Sequence, residues 1–149
     1  MNPKLEPALK LYETDFVLWI EQTAQLMRDG AFDQVDWGNV IEEIEGLNRS
    51  DKRALESQVT RVIMHLLKWD YQPERRSSSW RGSIVEGRTQ ARNLLRDSPS
   101  LKPYLAEVLT QCYQDAVEQA SAETELPIDT FPIECPYAID EVSGGKFYD

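Results

Sequence analysis

Three groups of side chains in this sequence could do chemistry. His65, the single histidine of the chain, opens the stretch HLLKWDYQPERRSSSW at residues 65–80, among Lys68, Trp69, Arg75, Arg76, three serines and Trp80. An imidazole there could serve as acid, base or metal ligand. Glu42 and Glu45, in EEIE, stand three apart and share one helical face, and two carboxylates so placed can hold Mg²⁺ or Mn²⁺. Arg81, Arg88, Arg92 and Arg96 recur at helical steps and form a stripe. Together with Arg75 and Arg76 that stripe could grip an anion or a partner's surface.

Each group is incomplete as a catalytic set. His65 has no second histidine and no nearby cysteine, whereas a zinc site recruits several such ligands. The glutamate pair has no matching pair elsewhere: Glu118 and Glu123 have the wrong spacing to face one ion together. The Glu-x-x-His pattern of di-iron bundles is absent. No serine lies in a nucleophile elbow. The structural reading is therefore expected throughout. His65 is a core-edge residue bonded to a carboxylate or a backbone oxygen. Glu42 and Glu45 meet arginines across a helix interface, and Arg88, the stripe member closest to the apolar side, pairs with Glu42 or Glu45. The functional alternatives are metal-dependent nucleotide or phosphoester hydrolysis through Glu42 and Glu45, and anion or single-stranded nucleic-acid binding through the arginines, with bases stacked on Trp69, Tyr71 and Trp80.

The elements that must position these groups are helical. Phe16, Val17, Ile20, Ala24 and Met27 recur at three- and four-residue steps and predict a helix from about Asp15 to Arg28, stopped at Gly30. A long segment follows from about Trp37 to Tyr71, with Asp36 as N-cap. Val40, Ile41, Ile44 and Leu47 form its first apolar stripe, and Leu55, Val59, Val62, Ile63, Leu66 and Leu67 its second. Between them GLNRS, residues 46–50, predicts a bend or a short break, because glycine and asparagine weaken a helix. Pro73 ends the segment. A third helix is expected from about Ser79 to Asp97, with Trp80 as its first core anchor and the small Gly87 and Ala91 admitting a close neighbour. A fourth runs from about Leu101 to Thr124. The tail from Leu126 contains Pro127, Pro132 and Pro136, so it cannot be one long helix, yet Ile128, Phe131, Ile133, Tyr137 and Ile139 predict that it lies across the others, with one short turn after Pro136. The expected fold is all-α: a small antiparallel bundle of four main helices carrying this Pro-containing tail, in a single domain over residues 1–149 with an ordered core of about 12–142.

Several stretches, in order, resemble a bacterial family known as domain of unknown function 29: YETDFVLWIEQTAQLMR, FDQVDWGNVIEEIEGL, HLLKWDYQPERRSSSWRGSI, LLRDSPSLK and LPIDTFPIECPYAIDEV. They span roughly residues 12 to 142. The resemblance implies an all-α fold and carries over no catalytic residues.

Composition bounds the remaining choices. The net charge of −10 is unevenly spread. Residues 1–47 hold 3 basic and 10 acidic side chains, residues 48–102 hold 12 and 6, and residues 103–149 hold 1 and 10. Acidity overall weighs against nucleic acid, and the basic middle is expected to face the acidic arms. No apolar run reaches the length of a membrane span or signal peptide. Cys112 and Cys135 are too few for a disulfide framework, so both thiols are expected to be free in a reducing cytoplasm. No cofactor is expected. The function expected is that of a protein-interaction or self-associating module, its partner another protein or its own copy.

Overall fold

The computed structural model describes residues 2–144. Six α-helices follow one another: α1 Glu6–Thr14, α2 Phe16–Arg28, α3 Trp37–Tyr71, α4 Ser78–Asp97, α5 Leu101–Thr124 and α6 Ile139–Ser143. Short 3₁₀ turns at Phe32–Gln34, Pro73–Arg75 and Ile128–Thr130 join them. Among the described residues there is no strand. The all-α expectation holds, and the four main helices lie within a residue or so of their expected bounds. The caps explain why. Asp15 accepts from the Leu18 amide, Asp36 from the Asn39 amide and Ser77 from the Trp80 amide, each satisfying a donor that the first turn leaves open. Gly30, at φ 72, supplies the left-handed residue after α2. The turn expected after Pro136 is α6.

Three expectations are corrected. Residues 2–14 carry a helix, α1, that apolar periodicity did not predict. Of the bend or short break expected at residues 46–50, the break is the part overturned, because helical structure is continuous there. The chain does divide there in another sense: it gathers into two compact units, one ending at Arg49 and the next beginning at Ser50. The third correction concerns burial in the N-terminal unit. Of the expected apolar faces of α2 and early α3, Phe16, Val17, Ile20, Ile41, Ile44 and Leu47 are exposed. Trp19 and Thr23 are the buried residues of α2. Trp19 packs edge-on against Tyr12 of α1, ring centroids 4.8 Å apart.

The C-terminal unit has a closed core. Leu55, Val59, Val62, Ile63, Leu66 and Leu67 of α3 are wholly buried with Ile84 and Ala91 of α4 and Leu105, Ala116 and Ala120 of α5. Gly87 makes the expected close approach: a Cβ there would stand 2.6 Å from Val62 Cγ2. The tail closes over this core. Phe131, Tyr137 and Val142 are buried. The Tyr137 hydroxyl donates to Asp70 at 2.7 Å, and the Tyr113 hydroxyl to the Pro132 carbonyl. Ile128 and Ile133, expected to pack, are exposed instead. Burial pushes the Tyr113 phenol up to about 12.

Candidate functional site

The two units present two different kinds of surface. In the C-terminal unit, α3 and α5 border a polar groove lined by Arg53, Glu56, Arg61, His65, Asp115 and Gln119, among others. His65 lies here half-buried. Its Nδ1 stands 2.9 Å from the Arg61 carbonyl one turn earlier, which places the ring proton on Nδ1. Burial is the main cause holding the imidazole below its ordinary pKa, and the cations Lys68 and Arg61 add to it. The core-edge role bonded to a backbone oxygen is the one the ring occupies. Among the described residues no group of three His, Cys, Asp or Glu is placed to hold a metal ion.

The glutamates sit in the N-terminal unit. Glu42 takes Arg49 Nη2 at 3.0 Å, two turns along the same helix and not across an interface. Its neighbour Glu43 accepts the Tyr12 hydroxyl at 2.6 Å, and this bond is the main reason the phenol is held above its usual pKa. Among the described residues Glu45 enters no salt bridge.

The arginines do not act as one stripe. Arg88 is the buried one, 4% exposed. Its Nε donates to the Glu141 carbonyl of α6 at 2.6 Å, a bond to tail backbone where a Glu42 or Glu45 carboxylate was expected. Arg92 leans on Thr89 and Arg96 on Asp97. Arg76 turns back, its Nε on the Trp69 carbonyl at 2.9 Å and its guanidinium 4.9 Å from the Trp69 ring centre. Arg75 and Arg81 are exposed. Trp80 is half-buried, not a core anchor; its ring faces Lys68 Nζ at 4.6 Å, and the same ammonium meets Glu123 at 2.6 Å. That cation, ring and carboxylate cluster was not foreseen, because its members lie 55 residues apart in sequence. The tyrosine–carboxylate bonds, Tyr104 to Glu56 at 2.8 Å among them, escaped for the same reason.

The surface that stands out is apolar. Among the described residues, nine of the twelve large hydrophobic side chains that remain exposed lie in the N-terminal unit, although it holds only a third of the chain. On α2 they are Phe16, Val17, Leu18 and Ile20. On early α3, Ile41, Ile44 and Leu47 are 53%, 61% and 70% exposed. In the same unit a recess between α1 and α2 is lined by Ala8, Leu11, Leu26 and the buried Trp19, whose indole N–H has no hydrogen-bond partner among the described residues. Periodicity found these residues; it could not say that nothing covers them.

The architecture is that of an all-α protein. A model of the family described as domain of unknown function DUF29 matches residues 11–148, nearly the whole chain, and the chain belongs to that family. No curated protein and no solved structure matches it. No helix among the described residues is long and apolar enough to cross a membrane.

Proposed function

We propose that this chain is a protein-interaction module whose docking surface is the apolar face of its N-terminal unit, working in the reducing cytoplasm of a bacterial cell. The observation that carries the reading is the exposure of Ile41, Ile44 and Leu47 on one helix together with Phe16, Val17 and Ile20 on another. Each buried Å² of such surface gains about 25 cal/mol on leaving water. Rows of large apolar side chains left in water on a helix are places where something can dock. Metal-dependent hydrolysis through Glu42 and Glu45 gains no support from the geometry, since Glu42 is engaged by Arg49.

Isolation of the untagged chain from its native cell tests the reading. The wild type is expected to elute well above its own 17.2 kDa. An Ile44→Glu variant with an unchanged melting temperature is expected to elute as the free chain. Wild type that elutes at its own mass throughout, or a complex indifferent to Ile44→Glu, removes the basis for it.

A further inference from the structure

We infer that the occupant of this face is a basic amphipathic helix supplied by a partner protein. The inference rests on the docking reading above and adds the partner's chemistry.

The stripe on α3 has charged margins of one sign. At 100° per residue, Glu43 and Glu45 flank Ile44 on opposite sides. Of the three glutamates Glu42, Glu43 and Glu45, Glu42 is the one with a cation partner, Arg49, and it lies on the far side of the helix; Glu43 accepts the neutral Tyr12 hydroxyl and keeps its charge. On α2 the exposed row of Phe16, Val17 and Ile20 is bounded in sequence by Asp15 and Glu21. Through Arg49 the unit has ten acidic side chains against four basic ones, Lys4, Lys10, Arg28 and Arg49. Of these, Lys4 and Arg49 are already paired, with Asp33 and Glu42.

Any occupant that covers Ile44 strips water from the margins of the stripe. Carboxylates at such an edge demand cations, and like charges opposite them are repelled. Lysine and arginine suit the place doubly, because their methylene stems cover apolar surface while their heads reach the acids. A second copy presenting this same face would set acid against acid, which disfavours self-pairing here. A β-strand peptide would need a sheet edge, and no strand exists among the described residues. An apolar row slanting along a helix at three-residue steps suits a second helix laid against it, with apolar anchors at i, i+3, i+4 and i+7.

The test uses the full chain and two labelled helical peptides of about 18 residues, roughly 27 Å long. Both carry leucines at three- and four-residue steps; one has lysines on its polar face, the other glutamates. Fluorescence anisotropy is expected to show saturable binding of the lysine peptide, weakening as salt rises. The glutamate peptide should bind at least about ten-fold more weakly. Ile44→Ser and Leu47→Ser should each weaken the lysine peptide by about ten-fold, and Glu45→Lys should weaken it while strengthening the glutamate peptide. Equal affinity for the two peptides overturns the inference, as does a lysine peptide that does not bind or does not respond to these substitutions. If no peptide binds while the native complex still dissolves on Ile44→Glu, the partner's chemistry is wrong and the docking reading stands. If Ile44 matters to neither, both fall.

Discussion

Helix α3 gives one type of side chain two fates. Toward its C-terminus Leu55, Val59, Val62 and Leu66 are wholly buried; toward its N-terminus Ile41, Ile44 and Leu47 face solvent. The first set recurs at four-, three- and four-residue steps and the second at three-residue steps, both spacings that keep side chains on one side of a helix. The difference teaches that periodicity reports which face of a helix is apolar, and that only the surrounding chain decides whether the face is covered. In the C-terminal unit α4, α5 and the tail close over it. In the N-terminal unit the buried residues are Trp19, Thr23, Val35 and Asp36, and the predicted stripes stay exposed.

The sharpest way to break this comparison is a pair of matched truncations. Leu66→Ala should cost about 2–5 kcal/mol by chemical denaturation, from lost transfer energy and the cavity left behind. Ile44→Ala should stay within about 0.5 kcal/mol of wild type. Equal losses would show that the N-terminal stripe is a core after all.

Arg88→Met comes next, at about 1.5–3 kcal/mol, the scale of a hydrogen bond made by a charged group. It should add to Glu42→Gln or Glu45→Gln without coupling, because the bond goes to the Glu141 carbonyl. Coupling to either glutamate would restore the pairing expected from sequence. Gly87→Ala sharpens the closed half of the comparison. A methyl group 2.6 Å from Val62 Cγ2 overpacks the contact of α3 and α4, by about 1–3 kcal/mol. Combining it with Val62→Ala should recover part of that loss. Gly46→Ala on the same helix meets nothing closer than the mobile end of Arg49, at 3.6 Å, and should instead stabilise by up to about 1 kcal/mol.

The smallest effect is on pH. His65 protonates less readily in the folded chain than at its ordinary value of 6.5. Below that value the unfolded state binds more protons, so its contribution to stability is present above 6.5 and is lost as pH falls. His65→Gln should flatten the stability profile below about pH 6.5. A steeper profile in the variant would contradict the burial argument.

Much of the fold was legible before any coordinates. Prolines 73 and 99 and the caps Asp15, Asp36 and Ser77 set helix ends by local chemistry, and local chemistry can be read from a sequence. The same holds for Gly87, whose missing side chain sits where the apolar spacing required one. What stayed hidden depended on distant residues. Arg88 turned to a carbonyl 53 residues away, and side chains advertise charge but not which backbone oxygen waits for them. Glycine and asparagine at 46–48 suggested a bend or a short break, and the break does not occur because propensity counts each residue alone, whereas a long helix carries two weak formers without interruption. Helix α1 had a signal that periodicity passed over: Pro7 beside Glu6 in a first turn, the arrangement that suits a helix start.

Cys112 turns the closed unit into its own clock. The thiol is 3% exposed, and burial is the main cause pushing its pKa up. An alkylating reagent attacks only a thiolate it can reach. Labelling of Cys112 can thus proceed no faster than the C-terminal unit opens, while the half-buried Cys135 reacts through smaller fluctuations. Where opening and closing are fast, the rate follows the population of the open form. Leu66→Ala should then speed labelling by roughly 30-fold or more, and substitutions on the exposed stripe of α3 should leave the rate unchanged.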